Sequence, residues 1–523
     1  MPSLAGQTSW CQASLGRRAV MVLAVLTVIC VTRISLAPKY LYYFDSVNFA
    51  LSLEEFNPAM HQPQPPGYPL FVAFLRLVHL LIPKPEHVLL AAGILTAALA
   101  VILVWWLGEL MFSAPAGFSA AVLLTLNPAF WLAGISNQVR LWLAAGAAAT
   151  AIACWHSIEL PASRTPFLIA AAVLGIAAGF RPAMLVLLLP LLIFSGIAAR
   201  RKLRDWIAGA SVLAAATGIW LGYTVVVSGG PAAYVGLLRD YAKDQFSASS
   251  ALMGAPLSSA WTMWKAALVW NGLGVLSWVW AAALFRRGDW KPGLRLWFLA
   301  AWFVPPFLFH SLIHVGDPDH TLITVAALCL AGGAVLARLH QRLTPEGWLI
   351  ANGLALSINA LLFFLPAGGL AGASTYRMVA RIDSTTRATF EAIGELGKQG
   401  PVTLVAYDSF VTWRHLSYYL PDTPLIVLRE PHRGPVDPSR VWRIEQRRTM
   451  APAIDAHGRI RLPAARRIVW LMPVQDAAAP AELAHSVDLR QWGPVHYLEI
   501  ADETAFGLGS YRFIVQPPAA SGH

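Results

Sequence analysis

Residues 88–111 read VLLAAGILTAALAVILVWWLGELM, an apolar run interrupted by a single charged residue, Glu109. As an α-helix this run is about 36 Å long, enough to cross the roughly 30 Å hydrocarbon core of a bilayer. Similar runs recur through the first 366 residues, and the 523-residue chain is 57% hydrophobic and only 13% charged. Soluble domains carry about a quarter charged residues. The sequence therefore predicts a multi-pass membrane protein and excludes a large soluble core for residues 1–366.

The apolar runs predict eleven transmembrane helices, at residues 19–37, 88–111, 115–134, 139–158, 166–180, 182–198, 206–228, 261–285, 294–314, 320–338 and 348–366. Basic residues cluster at Arg164, 200–204, 286–291 and 338–342, which this layout places on one side of the membrane. Because cytoplasmic loops carry the excess of Lys and Arg, the N-terminus is predicted to be cytoplasmic and the C-terminal segment outside. The layout requires a turn at Arg181-Pro182. This placement of the basic residues explains the net charge of +11 and predicts an inner (cytoplasmic) membrane protein. Nucleic-acid binding is not needed to account for the charge.

The chain is predicted to have two domains, a transmembrane module over residues 1–366 and an extracytoplasmic domain over residues 367–523. The first contains a long outer loop at 38–87. In the second, strand-like runs at 402–407 and 424–429 flank a helix-like stretch at 409–420, and further strand-like runs follow at 467–472 and 511–515. This order predicts a small α/β domain. The fold class is therefore an all-α polytopic membrane bundle with a small C-terminal α/β domain.

Asp45 is the first candidate for chemistry, because it follows the outer end of the first predicted helix. Tyr40, Tyr42, Tyr43 and Phe44 precede it. A carboxylate that is partly desolvated among aromatic rings is suited to accept a proton. The alternative is a structural role, in which Asp45 caps a short helix over residues 47–55. The two roles are compatible.

The most specific motif is HQPQPPGYP at residues 61–69. Its prolines predict a stiff, extended turn that holds its side chains and carbonyls in fixed positions. A rigid connector would explain the prolines, but not His61 and two glutamines beside an apolar helix. That helix, predicted over residues 67–82, carries Arg76 and His79 on one face and is expected to lie along the membrane surface.

The first span, Asp45, the short helix, the proline turn and the surface helix together resemble the first outer loop of GT-C glycosyltransferases. These membrane enzymes use polyprenyl-phosphate-linked sugars. The turn is most similar to the H-P-P-G-x-P-L loop of bacterial and eukaryotic relatives of protein O-mannosyltransferases. The resemblance implies that Asp45 is a general base, which deprotonates an acceptor hydroxyl as its oxygen attacks the anomeric carbon. One direct displacement would invert that carbon. The implied partners are a polyprenyl-phosphate sugar donor and a protein, lipid or glycan acceptor.

A second polar cluster is HSLIHVGDPDH at residues 310–320, at the outer end of the ninth predicted span. Its histidines and aspartates suit a pocket wall that contacts sugar hydroxyls or phosphate. A metal site and a simple turn that caps the tenth span are the alternatives. Many GT-C relatives have an acidic residue after the third span, where this chain has Asn137, Gln138 and Arg140. No metal or other cofactor is therefore assigned, although a divalent metal remains an alternative.

Arg140 is a candidate for the donor phosphate, with a snorkelling interfacial arginine as the alternative. Arg239 lies in a charged loop helix, which is typical either of a phosphate contact or of a solvated face. The candidate donor- or acceptor-binding residues are His61, Arg76, Arg140, Arg239, His314, Asp317, Asp319 and His320.

The sequence favours an enzyme, an inverting hexosyl or pentosyl transferase, over two other functions. A transporter or flippase of lipid-linked sugars would place ionisable residues deep within its spans and carry paired broken helices. Here the polar residues gather at the outer edge. A structural subunit that binds a partner through the outer domain would leave the first-loop motif unexplained.

Overall fold

The computed structural model describes residues 5–136, 138–247, 249–285, 293–407, 413–428, 441–471, 489–508 and 511–518. The chain divides into two compact units. The helical unit comprises Met1–Pro38 and Phe49–Val379, and the C-terminal unit comprises Lys39–Asn48 and Ala380–His523. Part of the predicted first outer loop, including Asp45, thus belongs to the C-terminal unit.

The helices, in chain order, are α1 (Ala5–Leu36), α2 (Phe44–Glu54), α3 (Pro69–His79), α4 (Pro85–Met111), α5 (Ala114–Thr125), α6 (Pro128–Ser136), α7 (Leu141–Glu159), α8 (Thr165–Phe180), α9 (Ala183–Ala198), α10 (Leu203–Val227), α11 (Pro231–Phe246), α12 (Leu257–Leu276), α13 (Val279–Ala282), α14 (Leu294–Leu312), α15 (Leu322–His340), α16 (Pro345–Phe364), α17 (Gly369–Gly372), α18 (Tyr376–Lys398) and α19 (Trp413–Tyr419). Short 3-10 turns lie at Pro58–Met60, Gln138–Arg140, Ala251–Met253 and Pro318–Thr321.

All eleven predicted segments are helical. Within the described residues, six helices are long and apolar enough to cross a membrane by themselves, or seven if the bent pair α5 and α6 is one span. The others are shorter or less apolar, and α8 and α9 have 16 residues each. The chain breaks between them at Arg181-Pro182, as the distribution of basic residues required. The prediction of an all-α polytopic bundle is confirmed. The basic loop at 286–291 lies outside the described residues.

The bend of 55° between α5 and α6 is supported by polar side chains. Arg33 of α1, which is fully buried, donates from Nη2 to the carbonyl oxygen of Thr125 at 2.8 Å. Asn127 accepts the N–H groups of Ala129 and Phe130 at 3.1 and 3.3 Å through Oδ1. A helix break in an apolar environment leaves backbone N–H and C=O groups without their helical hydrogen bonds, and these groups need polar side chains as partners. The break is therefore a stable feature of the fold.

Small residues bring α5 and α15 close together. A Cβ atom added at Gly333 of α15 would overlap the carbonyl oxygen of Ala116 in α5. Glycines and alanines at helix contacts in membranes let backbones approach, and dispersion contacts then hold the helices. This packing joins early and late parts of the helical unit.

In the C-terminal unit, the strands are β1 (Val402–Tyr407), β2 (Leu425–Leu428), β3 (Val441–Glu445), β4 (Arg448–Met450), β5 (Ala453–Ile454), β6 (Ile460–Arg461), β7 (Arg467–Leu471), β8 (Arg490–Trp492), β9 (Val495–Glu499), β10 (Thr504–Leu508) and β11 (Tyr511–Val515). Over the described residues they form one sheet in the order β4-β3-β2-β1-β7-β9-β8 and a second in the order β10-β11-β6-β5. Strand β1 is parallel to both of its neighbours. The predicted α/β character is confirmed.

Helix α18 was not predicted from the sequence. It packs Ile393 and Leu396 into an apolar core with Leu404 of β1. The predicted helix at 409–420 corresponds to α19, and residues 408–412 lie outside the described part of the chain.

Candidate functional site

The proline turn is fixed at both of its ends. Near its start, the N–H of Gln62 donates to the carbonyl oxygen of Asn57 at 2.9 Å. At its end, Gly67 has φ +117°, and a Cβ there would lie 2.9 Å from Cγ2 of Thr224 in α10. The hydroxyl of Tyr234 in α11 donates to the carbonyl oxygen of Pro66 at 2.8 Å. The turn is thus packed against two helices, which is more than a connector needs.

Tyr68, the last residue of the turn before α3, accepts a hydrogen bond from Arg181. The distance from Arg181 Nη1 to Tyr68 Oη is 2.9 Å, and the guanidinium carbon lies 5.2 Å from the ring centroid. Arg181 occupies the break between α8 and α9 and is 8% exposed. From the sequence, Arg181 is predicted only as a turn residue. Its signal was a charged residue inside an otherwise apolar run, which in membrane proteins is typical of function.

Arg140 is another buried arginine of the helical unit, 4% exposed, in the turn before α7. Its Nε lies 3.9 Å from Oδ1 of Asp319, and its Nη2 lies 4.0 Å from Oδ2 of Asp317. These ion pairs are longer than direct hydrogen bonds. The neighbouring Asn137 lies outside the described residues. The buried, paired position of Arg140 differs from that of a snorkelling arginine.

Asp317 and His320 have a local structural role. Asp317 is the N-cap of the 3-10 turn Pro318–Thr321, and Nδ1 of His320 accepts the N–H groups of Gly316 and Asp317 at 3.0 and 3.1 Å. The predicted turn-and-cap alternative thus accounts for these two residues. It does not account for Asp319, which is fully buried, or for His314.

Asp317, Asp319 and His320 also lie close enough together to be a candidate metal site. One ligand atom from each of Asp317, Asp319 and His320 lies within 4.8 Å of the others. Because Nδ1 of His320 accepts two N–H groups, it holds the lone pair, and Nε2 carries the proton. A metal ligand needs a lone pair directed at the ion. As placed, His320 therefore does not fit a metal, and the two carboxylates alone make a weak candidate.

His314 follows the end of α14 and lies between Phe246 and His320, with ring centroids 5.4 and 5.7 Å away. Burial, together with the positive charges of Arg140 and Arg181, lowers the pKa of His314 to about 4. Both guanidinium groups thus act electrostatically on one imidazole. We call Tyr68, Arg140, Arg181 and His314 the arginine cluster.

Three other predicted residues have different surroundings. The ring of His61 lies 6.3 Å from that of Tyr241 in α11. Arg76 donates from Nη2 to the carbonyl oxygen of Ser52 at 2.9 Å, which ties α3 to α2. Arg239 is exposed on α11, as expected of a solvated face. Of the predicted binding residues, the structure brings Arg140, His314, Asp317, Asp319 and His320 together.

Asp45 lies in the first turn of α2, in the C-terminal unit, and is half-buried. The N–H groups of Ser46 and Val47 donate to the carbonyl oxygen of Tyr43 at 3.0 and 3.3 Å, so the helix has already begun at Phe44. The alternative in which Asp45 is the N-cap is therefore wrong. A carboxylate in the first turn is nevertheless stabilised by the helix dipole.

Comparisons with known proteins cover both the motif and the fold. A family model described as dolichyl-phosphate-mannose-protein mannosyltransferase matches residues 62–227, from the proline turn to the end of α10. None of the proteins with curated descriptions matches the chain.

Among solved structures, ArnT from Cupriavidus metallidurans bound to undecaprenyl phosphate matches with a TM-score of 0.57 and 16% identity, over 93% of this chain and 98% of that chain. Its apo form matches with a TM-score of 0.55. An oligosaccharyltransferase from Archaeoglobus fulgidus matches with a TM-score of 0.41 and 15% identity, over 68% of this chain and 55% of that one. At these identities the likeness to ArnT concerns the fold. As the resemblance to GT-C glycosyltransferases predicted, this is a multi-pass membrane protein with an ArnT-like GT-C fold, and its residues 62–227 match a mannosyltransferase family model.

Proposed function

We propose that this protein is a glycosyltransferase that moves a sugar from a polyprenyl-phosphate-linked donor to an acceptor hydroxyl on the outer face of the membrane. The observation that carries the proposal is the arginine cluster, in which two buried guanidinium groups lie near one neutral imidazole. Such a pair suits the phosphate of a lipid-linked donor, since guanidinium groups bind phosphate through paired N–H donors. The ArnT structure, which has the same fold, was solved with undecaprenyl phosphate bound.

The surroundings of the arginines support this role. Tyr68 orients Arg181 through a hydrogen bond, and Asp317 and Asp319 hold Arg140 through loose ion pairs. Cations that are already oriented need little rearrangement when charge develops on the leaving phosphate. We assign them to donor binding and His314 to the wall of the same site. His61, Arg76 and His320 act indirectly in this proposal, by supporting the turn, the helices and the Pro318–Thr321 cap, and Arg239 stays a solvated residue of α11.

Asp45 is proposed as the general base. It accepts the proton of the acceptor hydroxyl while that oxygen bonds to the anomeric carbon, and the bond from that carbon to the phosphate oxygen breaks. The lipid phosphate leaves with the bonding electrons. A single displacement inverts the anomeric carbon and needs no second carboxylate as nucleophile.

The proposal includes the predicted orientation and domains. The protein lies in the inner membrane with a cytoplasmic N-terminus and extracytoplasmic domain 367–523, because the basic residues near Arg164 and at 200–204 then face the cytoplasm. The transferred group is a hexose or pentose, and the acceptor is a protein, lipid or glycan.

Replacing Asp45 by Asn tests the proposal. The purified full-length protein, in proteoliposomes with a panel of labelled polyprenyl-phosphate sugars, should lose sugar transfer by about 10²- to 10⁴-fold, the usual contribution of a general base. Glu54→Gln is a matched control, since Glu54 is exposed in the last turn of the same helix. It should transfer at the wild-type rate.

Transfer by Asp45→Asn at the wild-type rate would remove Asp45 from the reaction. Movement of labelled donor across the bilayer by the wild-type protein, without release of lipid phosphate, would instead support the flippase alternative.

A further inference from the structure

Helix α19 of the C-terminal unit buries two polar side chains, Arg414 and His415, which are 6% and 2% exposed. Burying a guanidinium group is unfavourable unless polar partners surround it. A short helix in a small domain would be more stable with apolar residues at these positions. The contacts of α19 therefore indicate the role of the buried Arg414 and His415 side chains.

Arg414 contacts the first turn of α2. Its Nε donates to Oδ1 of Asn48 at 2.7 Å, and its guanidinium carbon lies 5.8 Å from the ring centroid of Phe44. Phe44 and Asn48 are one helical turn apart, and Asp45 is three residues before Asn48. Residues three apart are neighbours on a helix surface. Arg414 thus lies against the part of α2 that carries Asp45.

His415 and Tyr419 hold the chain just before that helix. Nε2 of His415 donates to the carbonyl oxygen of Leu41 at 2.7 Å, and the N–H of Leu41 donates to Oη of Tyr419 at 3.0 Å. Both backbone groups of one residue are therefore bonded to α19. Such pairing fixes the backbone direction as it enters α2.

Helix α18 holds the residues before these. One carboxylate oxygen of Asp383 accepts the N–H groups of Lys39 and Tyr40 at 2.8 and 3.1 Å. The ring of Tyr40 lies 5.0 Å from that of Phe390, edge to face. Residues 39–48 are thus bound along their length by α18 and α19.

We propose that the C-terminal unit positions the catalytic carboxylate: α18 and α19 hold residues 39–48, and Arg414 orients the first turn of α2 that presents Asp45. This inference rests on the proposed role of Asp45 as the base. Arg414 is a positioning residue, which acts through Asn48 and Phe44. A base displaced by about 1 Å loses on the order of 100-fold in rate, so the geometry of this turn matters for turnover.

The test separates turnover from donor binding. In full-length protein, Arg414→Lys keeps the charge but loses the Nε–H that bonds to Asn48, and Asn48→Ala removes the acceptor. Each should lower kcat by about 10- to 100-fold, with KM for the polyprenyl-phosphate sugar within about twofold of the wild type. Because both changes break one contact, the double variant should be little worse than either single variant.

Arg447→Gln is the matched control. Arg447 also contacts α19, where its guanidinium carbon lies 4.9 Å from the ring of Tyr418 and its Nη2 is 3.3 Å from the carbonyl oxygen of that residue. It should keep the wild-type kcat. An equal loss of kcat in this variant would show that only the stability of the domain matters and would overturn the positioning role.

The two proposals fail in different ways. If Asp45→Asn is inactive while Arg414→Lys and Asn48→Ala keep the wild-type kcat, the base stands and the positioning role is wrong. If Asp45→Asn is fully active, the assignment of the base is wrong, and positioning falls with it. Additive losses in the double variant would also contradict the inference, because they would mean that the two side chains act separately.

Discussion

The hydrogen bond between Tyr68 and Arg181 gives a sharp test of the arginine cluster. Tyr68→Phe removes the phenolic oxygen that Arg181 Nη1 contacts at 2.9 Å, and it keeps the ring under the guanidinium group. Arg181 is 8% exposed, so water cannot readily replace the lost acceptor. Hydrogen bonds to charged groups contribute about 1.5–3 kcal/mol. If that energy orients Arg181 toward a phosphate, the Kd for undecaprenyl phosphate should rise by about 10- to 100-fold.

The assay is titration of the purified protein in nanodiscs with undecaprenyl phosphate, together with the free energy of unfolding of each variant. Tyr223→Phe is the control, because Tyr223 is 49% exposed and its ring lies 5.3 Å from that of Phe56. Its Kd should equal that of the wild type. A Kd within twofold of the wild type for Tyr68→Phe, with a lower free energy of unfolding, would refute the reasoning, since the hydrogen bond would then serve only the fold.

Two further predictions concern the helical unit. Gly333→Ala should lower the free energy of unfolding in detergent by about 1–3 kcal/mol, because the new Cβ would overlap the carbonyl oxygen of Ala116. Gly353→Ala, with nothing within 4 Å of its added Cβ, should change it little, and equal losses would contradict the packing argument. The pKa of His314 is lowered from 6.5 to about 4 in the folded protein. Between pH 6.5 and 4 the unfolded chain therefore binds a proton at His314 that the folded protein does not. The free energy of unfolding should fall as the pH falls through this range. His314→Gln should remove this part of the acid sensitivity of unfolding, and an unchanged pH dependence would show that His314 is not its source.

Local patterns predicted the parts of the fold that are set by local physics. The apolar runs predicted eleven helical segments, because a helix in a bilayer must satisfy its own backbone and cover itself with apolar side chains. The break at Arg181-Pro182 followed from proline and from the placement of the basic residues. In the C-terminal unit, short β-branched and apolar runs predicted strands such as 402–407 and 511–515. Helix α18 was not predicted because it contains no long apolar run; its apolar residues instead recur at helical spacing along one side of a largely polar helix.

Local sequence patterns predicted only part of the candidate site. The segment at 310–320 brings Asp317, Asp319 and His320 together because they are close in the chain, and the structure shows which of them cap a turn. Arg140 was singled out, but its pairing with Asp319 joins residues far apart in sequence. No local sequence pattern connects Arg140 with Arg181.

The sequence alone determined that the chain crosses a membrane through many helices and that an acidic residue and a rigid proline turn follow the first of them. Only the tertiary structure decided which side chains share a neighbourhood: Arg181 with Tyr68 in the helical unit, and Arg414 with Asn48 in the C-terminal unit. The physical reason is that hydrophobic periodicity and turn residues show only whether each segment of the chain faces solvent, lipid or the protein interior. Partners 113 and 366 residues apart meet only through the packing of whole helices and sheets.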